Sequence, residues 1–451
     1  MIRWVGVWVG LAAVLAGYGL PAGRAGAAGY DQPVLVAAAE KKAAPPTALV
    51  AGPMLGGVTD TSARFWVRTQ TEADVTIVVG TDARLASPVR SPTVRARGDE
   101  DFTAVAEVEG LKRDTKYTYD VLVNGKSALA PALPTFRTFP SSEGGAKIVV
   151  GFGGGARYKP ENERIWDTIR SCTPLAFLFL GDNVYIDKPE DPAEQRLQYY
   201  RRQSQPAMRR LGAAAAIYAI WDDHDFGTEH VEGGPAPLQP KWKPEVWRVF
   251  RQNWNNPSYG GGEKHFGCWF DFSIADVDFF MTDGRYYRSA ADGTMLGPVQ
   301  KKWLLERLAA STATFKVIAS STPWAEDADG AGDSWQAFRD EREEIFSFIG
   351  REKIDGVVLV SGDRHRSDAW KIERPGGYPL YEFTSAKLTS TIAARTDKKA
   401  LFSYNKGNLF GLLAFDTTPK DPTVTFLVMG INGENVYSLT VKKSEISHAS
   451  D

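Results

Sequence analysis

Residues 175–187 read LAFLFLGDNVYID, a strand-length apolar run that ends on Gly181-Asp182. Two further stretches are built the same way: IYAIWDDHDFG at 217–227 and GVVLVSGDRHRSDAW at 356–370. An unbroken apolar run of this length reads as a strand buried on both faces. Each run ends in acidic residues, joined by His224 in the second and His365 in the third. Ligands of open α/β sheets gather beyond the carboxyl ends of the strands. The three ends therefore predict one acidic, histidine-containing pocket.

Around these stretches, strands and helices alternate from Ala146 onward. Further strands are expected at Lys147–Val150 and Phe315–Ser320. Helices are expected at Glu161–Arg170, Ala193–Leu211, Pro244–Asn253, Val299–Ala309 and Asp340–Ile349. The alternation implies an α/β core. Two regions, His265–Thr282 and Pro379–Val441, have hairpin character. That is more antiparallel strand than a doubly wound sheet carries. It predicts two mixed sheets face to face with helices outside.

Upstream, residues 47–140 read as all-β. Strands are expected at Ala63–Arg68, Asp74–Val79, Thr103–Glu109 and Lys116–Val123, with an Asn124-Gly125 turn. Short strands with regular turn signals suggest a sandwich. LKRDTKYTYDVLVNG, at 111–125, is similar to a fibronectin type III strand with its tyrosine corner. Pro140–Gly145 reads as a linker.

The N-terminus has a basic start at Arg3, an apolar stretch from Trp4 to Leu20, and Ala25-Gly26-Ala27. This is the pattern of a secretory signal peptide cleaved near Ala27, and it predicts a secreted or periplasmic protein. The competing reading is a single membrane anchor. No other run is long enough to span a bilayer, so no stable span is expected after signal removal. Residues 28–46 read as a linker. A net charge of −2 gives no reason to expect attraction to nucleic acid or to an anionic membrane. Export would permit a disulfide between the two cysteines, Cys172 and Cys268; two buried free thiols are the other reading.

Carboxylates crowded into one pocket repel each other, so their pKa values rise or a cation neutralises them. With imidazole beside them, a pair of divalent or trivalent metal ions is the economical solution. Two metals about 3.5–4 Å apart can clamp a phosphate and provide a metal-bound hydroxide. The order GDNVY, WDDHD, GDRH resembles the alkaline phosphatase D (PhoD-like) family of calcineurin-like metallophosphoesterases, and the resemblance covers almost the whole mature chain. It implies a four-layer αββα sandwich, preceded here by the immunoglobulin/fibronectin III-like region. The expected organisation is a signal peptide over 1–27, a linker over 28–46, the β-sandwich over 47–140 and a metallophosphoesterase domain over 146–445.

The resemblance further implies a secreted phosphatase or phosphodiesterase with a dinuclear site holding iron and calcium, acting on phosphate esters. It makes Asp182 the bridging carboxylate and Tyr185 a phenolate ligand, the competing reading being a buried aromatic below the site. Asp223, Asp363 and His365 fall at metal-ligand positions. His224 falls where a histidine protonates the leaving alkoxide or hydrogen-bonds the phosphoryl oxygens. Arg285 would clamp phosphate; the other reading is a surface arginine paired with Asp283. Trp324 would wall the cleft or pack in the core.

One departure is plain. Where the family carries a cysteine ligand after its first strand, this chain has GFGGGARY at 151–158, with Gly155 near the cysteine's place. The loop is not a P-loop, because no Gly-Lys-Ser/Thr follows. It is expected to line the pocket, with glycine amides as donors to substrate and Arg157 or Tyr158 reaching in. The missing ligand supports an alternative: an exported, non-catalytic binding or scaffold protein with a degenerate site. A second departure is Thr228-Glu229-His230, where many relatives have Pro-Asn.

Overall fold

The computed structural model describes residues 48–325 and 333–449. The signal-peptide and linker readings on 1–27 and 28–46 lie outside the described residues.

Strands Leu49–Gly56, Ala63–Thr69 and Thr103–Val108 form one antiparallel sheet. Ala73–Gly80 and Lys116–Val123 centre a second, with short strands on either side. Apolar residues alternate inward along them; Phe65, Tyr119 and Phe136 meet between the sheets with ring centroids 4.7–5.8 Å apart. The tyrosine corner is present: the Lys112 N–H donates to Tyr117 Oη at 2.7 Å. Leu49–Gly56 was not expected from sequence, because LVAGPMLG carries a proline and two glycines. Its pairing with Ala63–Thr69 slips between Ala51 and Met54, and the irregularity accommodates Gly52-Pro53.

This region is docked, not tethered. Trp66 Nε1 donates to the Gln252 carbonyl at 2.8 Å and Tyr119 Oη to the Ala213 carbonyl at 2.8 Å. The Arg68 guanidinium reaches Gln203 Oε1 at 2.9 Å and Asn253 Oδ1 at 2.7 Å. All of these contacts are buried.

Two mixed sheets follow. The first runs, in spatial order, Ala216–Ile220, Ala176–Leu180, Lys147–Gly153, Leu409–Asp416, Thr423–Gly430, Asn435–Lys442. Its first three strands are parallel and the rest antiparallel. The second runs Phe270–Ile274, Val277–Met281, Phe315–Ala319, Val357–Ser361, Leu380–Ser385, Ser367–Ile372, Phe402–Tyr404, parallel through its middle. Aromatic pairs join the facing sheets: Phe383 on Phe426 at 4.6 Å, Phe315 on Phe415 at 5.4 Å, Tyr218 on Phe272 at 3.8 Å. Helices cover the outer faces; Trp166 of Ile165–Ser171 packs on Phe177 and Phe179. The result is the four-layer αββα arrangement expected.

Local differences have local causes. The expected helix 193–211 is two, Pro192–Gln203 and Pro206–Gly212, because Pro206 forces Gln205 into extended backbone. The first core strand continues through Gly153, so the first three residues of the glycine-rich run are strand, with Phe152 fully buried.

Candidate metal centre

The strands ending at Gly153, Leu180 and Ile220 stop side by side, and Val357–Ser361 of the other sheet stops opposite them. The loops then touch through backbone: a Cβ at Gly362 would lie 2.6 Å from the Leu180 carbonyl. Such close crossing bends the chain sharply. Asp182, Asp363 and His365 all have positive φ, of 53°, 66° and 45°. Asp is among the few non-glycine residues that tolerate this region, and His is enriched there too.

These bends point functional groups at one another. Tyr185 Oη donates to Asp182 Oδ2 at 2.9 Å and lies 3.5 Å from His365 Nε2; that nitrogen is 3.6 Å from the same Asp182 oxygen. The Tyr185 ring lies 4.2 Å from the His224 ring. Asp182, Asp223 and His224 each offer an atom within 4.8 Å of the others. His224 is held at both nitrogens: Nδ1 lies 2.6 Å from Asp187 Oδ1, and Nε2 lies 3.2 Å from Glu229 Oε2. Asp363 stands at the rim of the group, with Oδ2 3.4 Å from the Arg364 guanidinium.

The electrostatics are those of an over-filled acidic pocket. Burial, with Asp182, Asp222 and Asp333 nearby, pushes the Asp223 carboxyl up to about 8 against the pull of Arg285. Burial, with Asp333, Asp222 and Asp223 nearby, holds Asp363 well above the carboxylate range against the pull of Arg364. At His224 burial opposes the charge, but Asp182, Asp223 and Asp187 outweigh it and push the imidazole up to about 9. Asp182 Oδ1 is buried with no hydrogen-bond donor. An acceptor so placed costs free energy unless a cation or donor meets it. Carboxylate, phenol and imidazole donors suit hard or borderline cations. The residues present therefore fit a metal centre.

Several sequence expectations change. Arg285 is neither a free phosphate clamp nor a surface partner of Asp283. It is fully buried, and its fork is occupied: Nε donates to Asp222 Oδ1 at 2.6 Å, and its two terminal nitrogens to Asp333 at 2.7 and 2.9 Å. Asp283 instead accepts the Arg285 backbone N–H. Arg288 also binds Asp333, at 2.6 Å. Trp324 is core, stacked on Trp335 at 4.1 Å. Cys172 and Cys268 are both buried and unlinked.

The loop after the first strand does lie at the pocket, but Gly155 does not offer an amide to it. The Gly154, Gly155 and Ala156 N–H groups donate to the carbonyls of Ser385, Gly181 and Asp182. Gly155 has φ +67°, and a Cβ there would sit 2.4 Å from the Ala386 carbonyl and 3.1 Å from His365 Cδ2. The backbone itself excludes a ligand side chain at this position. Arg157 is the residue that reaches in, its guanidinium 4.8 Å from the Tyr185 ring centroid.

Four residues were not singled out from sequence. Asp225 is fully buried and accepts from the N–H groups of Asn183, Val184 and Asp222, tying two strand-end loops together. Its position as the last acid of WDDHD was the available signal. Asp187 closes the first quoted stretch. Glu229 lies in a departure from the family pattern. Asp333 carries no local signature at all.

Facing mixed sheets with acidic strand ends between them and helices outside make the fold of the metallophosphoesterases. Comparison with known proteins narrows the class. The family model of the PhoD-like phosphatases matches residues 150–412, and that of a domain of unknown function, DUF7800, matches residues 46–141. An alkaline phosphatase D from Bacillus subtilis (strain 168) is 31% identical over 102 residues; the match spans 21% of this chain and only 17% of that relative's length. A solved structure of PhoD aligns with a TM-score of 0.71 at 16% identity, over 88% of this chain and 94% of that one. Purple acid phosphatase PPD1 from yellow lupin (Lupinus luteus) seeds aligns at 0.64 and 12% identity, over 86% of this chain and 74% of that one. The chain belongs to the PhoD-like phosphatase family.

Proposed function

We propose that the chain is an exported, metal-dependent phosphoric ester hydrolase, a phosphatase or phosphodiesterase with a two-metal centre. The observation that carries this reading is Asp182: a buried carboxylate at the meeting of two sheets, with one oxygen unsatisfied and Tyr185, Asp223, His224 and His365 around it. Asp182, Tyr185, Asp223, Asp363 and His365 would hold the ions. Bound there, the ions supply Lewis-acid activation of the phosphoryl group and of water. The identity of the ions, iron and calcium by resemblance, belongs to the proposal.

The protein's own groups do the rest. Asp187, accepting from Nδ1, holds the His224 ring so that Nε2 carries the proton to be delivered. That proton goes to the departing alkoxide. Glu229, whose side chain is 70% exposed, swings aside as the leaving oxygen takes its place at Nε2. Arg157 brings positive charge to the mouth of the site. Arg285 binds no substrate; it holds Asp222 and Asp333. Export rests on the N-terminal leader pattern, and no helix among the described residues is long and apolar enough to cross a membrane.

The test is elemental analysis of the purified protein with assays on p-nitrophenyl phosphate and bis(p-nitrophenyl) phosphate. The expected result is bound metal and a turnover that chelation or His224→Ala abolishes. Protein that stays inactive on both esters after metal reconstitution would sink the reading. The second reading, a non-catalytic binding protein, draws on one observation: the first strand gives the site no donor side chain. Metal binding without turnover would favour it.

A further inference from the structure

Beside the metal centre lies a cleft of about 350 Å³. Tyr185 and Asp187 line it, and both also face the centre: Tyr185 through Asp182, Asp187 through His224. Its walls also carry Glu194, Arg202, which is ion-paired with Glu163, and four further cations, Arg157, Lys159, Lys188 and Arg201. Among the described residues, no carboxylate forms an ion pair with any of these four. Arg157 lies over the Tyr185 ring and Arg201 over the Tyr158 ring, at 4.8 and 4.9 Å. The two acids of the cleft are already engaged, Asp187 by His224 and Glu194 by Gln198.

Four cations without a carboxylate partner, one of them (Arg201) donating to the Gln198 side-chain oxygen, share one concavity of a chain with net charge −2, and their mutual repulsion favours an anion there. The reacting phosphate cannot be that anion, because its place is at Asp182 and His224, outside the cleft. Asp187 sits at His224 Nδ1, across the ring from Nε2 and the leaving oxygen, and Tyr185 meets Asp182, so the cleft opens beside the reacting phosphate and away from the leaving oxygen.

We propose that this cleft is a second anion subsite: it receives a further phosphate or carboxylate group of the substrate, carried on the side away from the leaving oxygen. The proposal rests on the phosphate-ester reading above and adds the substrate class, esters with a second negative charge a few bonds from the scissile phosphate. Arginine forks and lysine ammonium groups suit both anions.

The test measures binding of compounds with stable C–P bonds, so it does not depend on turnover. Propylphosphonate, propane-1,3-diylbisphosphonate and 4-phosphonobutanoate are titrated calorimetrically into the metal-loaded full chain. The expected result is that the bisphosphonate binds about tenfold tighter than propylphosphonate, a difference near 1.4 kcal/mol. In the double variant Lys188→Gln, Arg201→Gln that ratio collapses towards one. Both residues are exposed, and unchanged thermal melting confirms the fold. Tighter binding of 4-phosphonobutanoate as well would mean the subsite reads charge; tighter binding of the bisphosphonate alone would mean it reads phosphate. A ratio near one in the native chain, or one the double variant leaves intact, overturns the subsite. A native ratio as expected, in a chain that hydrolyses no ester, would leave the subsite standing and remove the hydrolase reading. Hydrolysis without the ratio would do the reverse.

Discussion

His224 Nδ1 lies 2.6 Å from Asp187 Oδ1, and this contact sets the orientation of the imidazole beside Asp182 and Asp223. If the dyad aims Nε2 at the leaving oxygen, its two halves differ in effect. His224→Ala is expected to lower kcat by about 10²–10⁴-fold, the worth of a positioned proton donor. Asp187→Asn keeps an acceptor and should cost only about tenfold, below the 10²–10⁴-fold worth of the proton donor itself, with KM little changed. Steady-state kinetics on one phosphate ester check both. Equal loss from the two variants, or a loss confined to KM, would contradict the assignment.

Removal of metal should destabilise as well as inactivate. Whatever binds only the folded chain adds stability by mass action, about 2.7 kcal/mol at a hundred times its Kd. Dialysis against a chelator is expected to lower the melting temperature, and Asp182→Asn should shrink that response. A melting curve indifferent to chelation would count against a metal centre at Asp182.

Arg285→Met is expected to act on the fold. Removing the guanidinium leaves Asp222 and Asp333 buried without their main partner, a loss of about 3–5 kcal/mol. Chemical denaturation measures it. A stable variant with a raised KM would restore the phosphate-clamp reading that the geometry argues against.

Asp225→Ala strips one acceptor from three backbone N–H groups. A cost on the order of 3 kcal/mol is expected, since each buried N–H left without an acceptor costs about 1–3 kcal/mol. The loops carrying Asp182 and Asp223 lose their common anchor, so metal affinity should fall by about 10–100-fold. Isothermal titration with metal gives that figure directly.

Gly155→Cys, which would return a thiol to the first-strand loop, is expected to destabilise by about 1–3 kcal/mol. The positive φ and the Ala386 carbonyl 2.4 Å from a Cβ both oppose it. Metal content should not rise. A stable variant with added metal would show that the loop can yield.

Much of this was legible in sequence because the chemistry sits at strand ends. Apolar runs fix the strands, and the acids that follow must lie beyond the sheet, so Asp182, Asp223, His224 and His365 could be grouped before any coordinates. What was not legible depends on which backbone turns toward which. Nothing in GFGGGARY says that Gly151–Gly153 stay in the strand or that Gly155 spends its amide on Gly181. Nothing near Asp333 marks it as the partner of Arg285, 48 residues away in sequence. Pairings of that kind are set by packing, and a single chain's sequence carries no local trace of them.

The docking of the N-terminal strands bears on how the molecule comes apart. Trp66, Arg68 and Tyr119 spend their polar atoms on Gln252, Gln203, Asn253 and Ala213, all buried and all on the other side of the boundary. A chain shortened to begin at Ala146 would leave those acceptors stranded on a bared surface. The sandwich is thus part of the same folding unit as the candidate site and not an adaptor carried beside it. Heating the intact protein should give one calorimetric transition, with loss of the sandwich and loss of the centre coinciding.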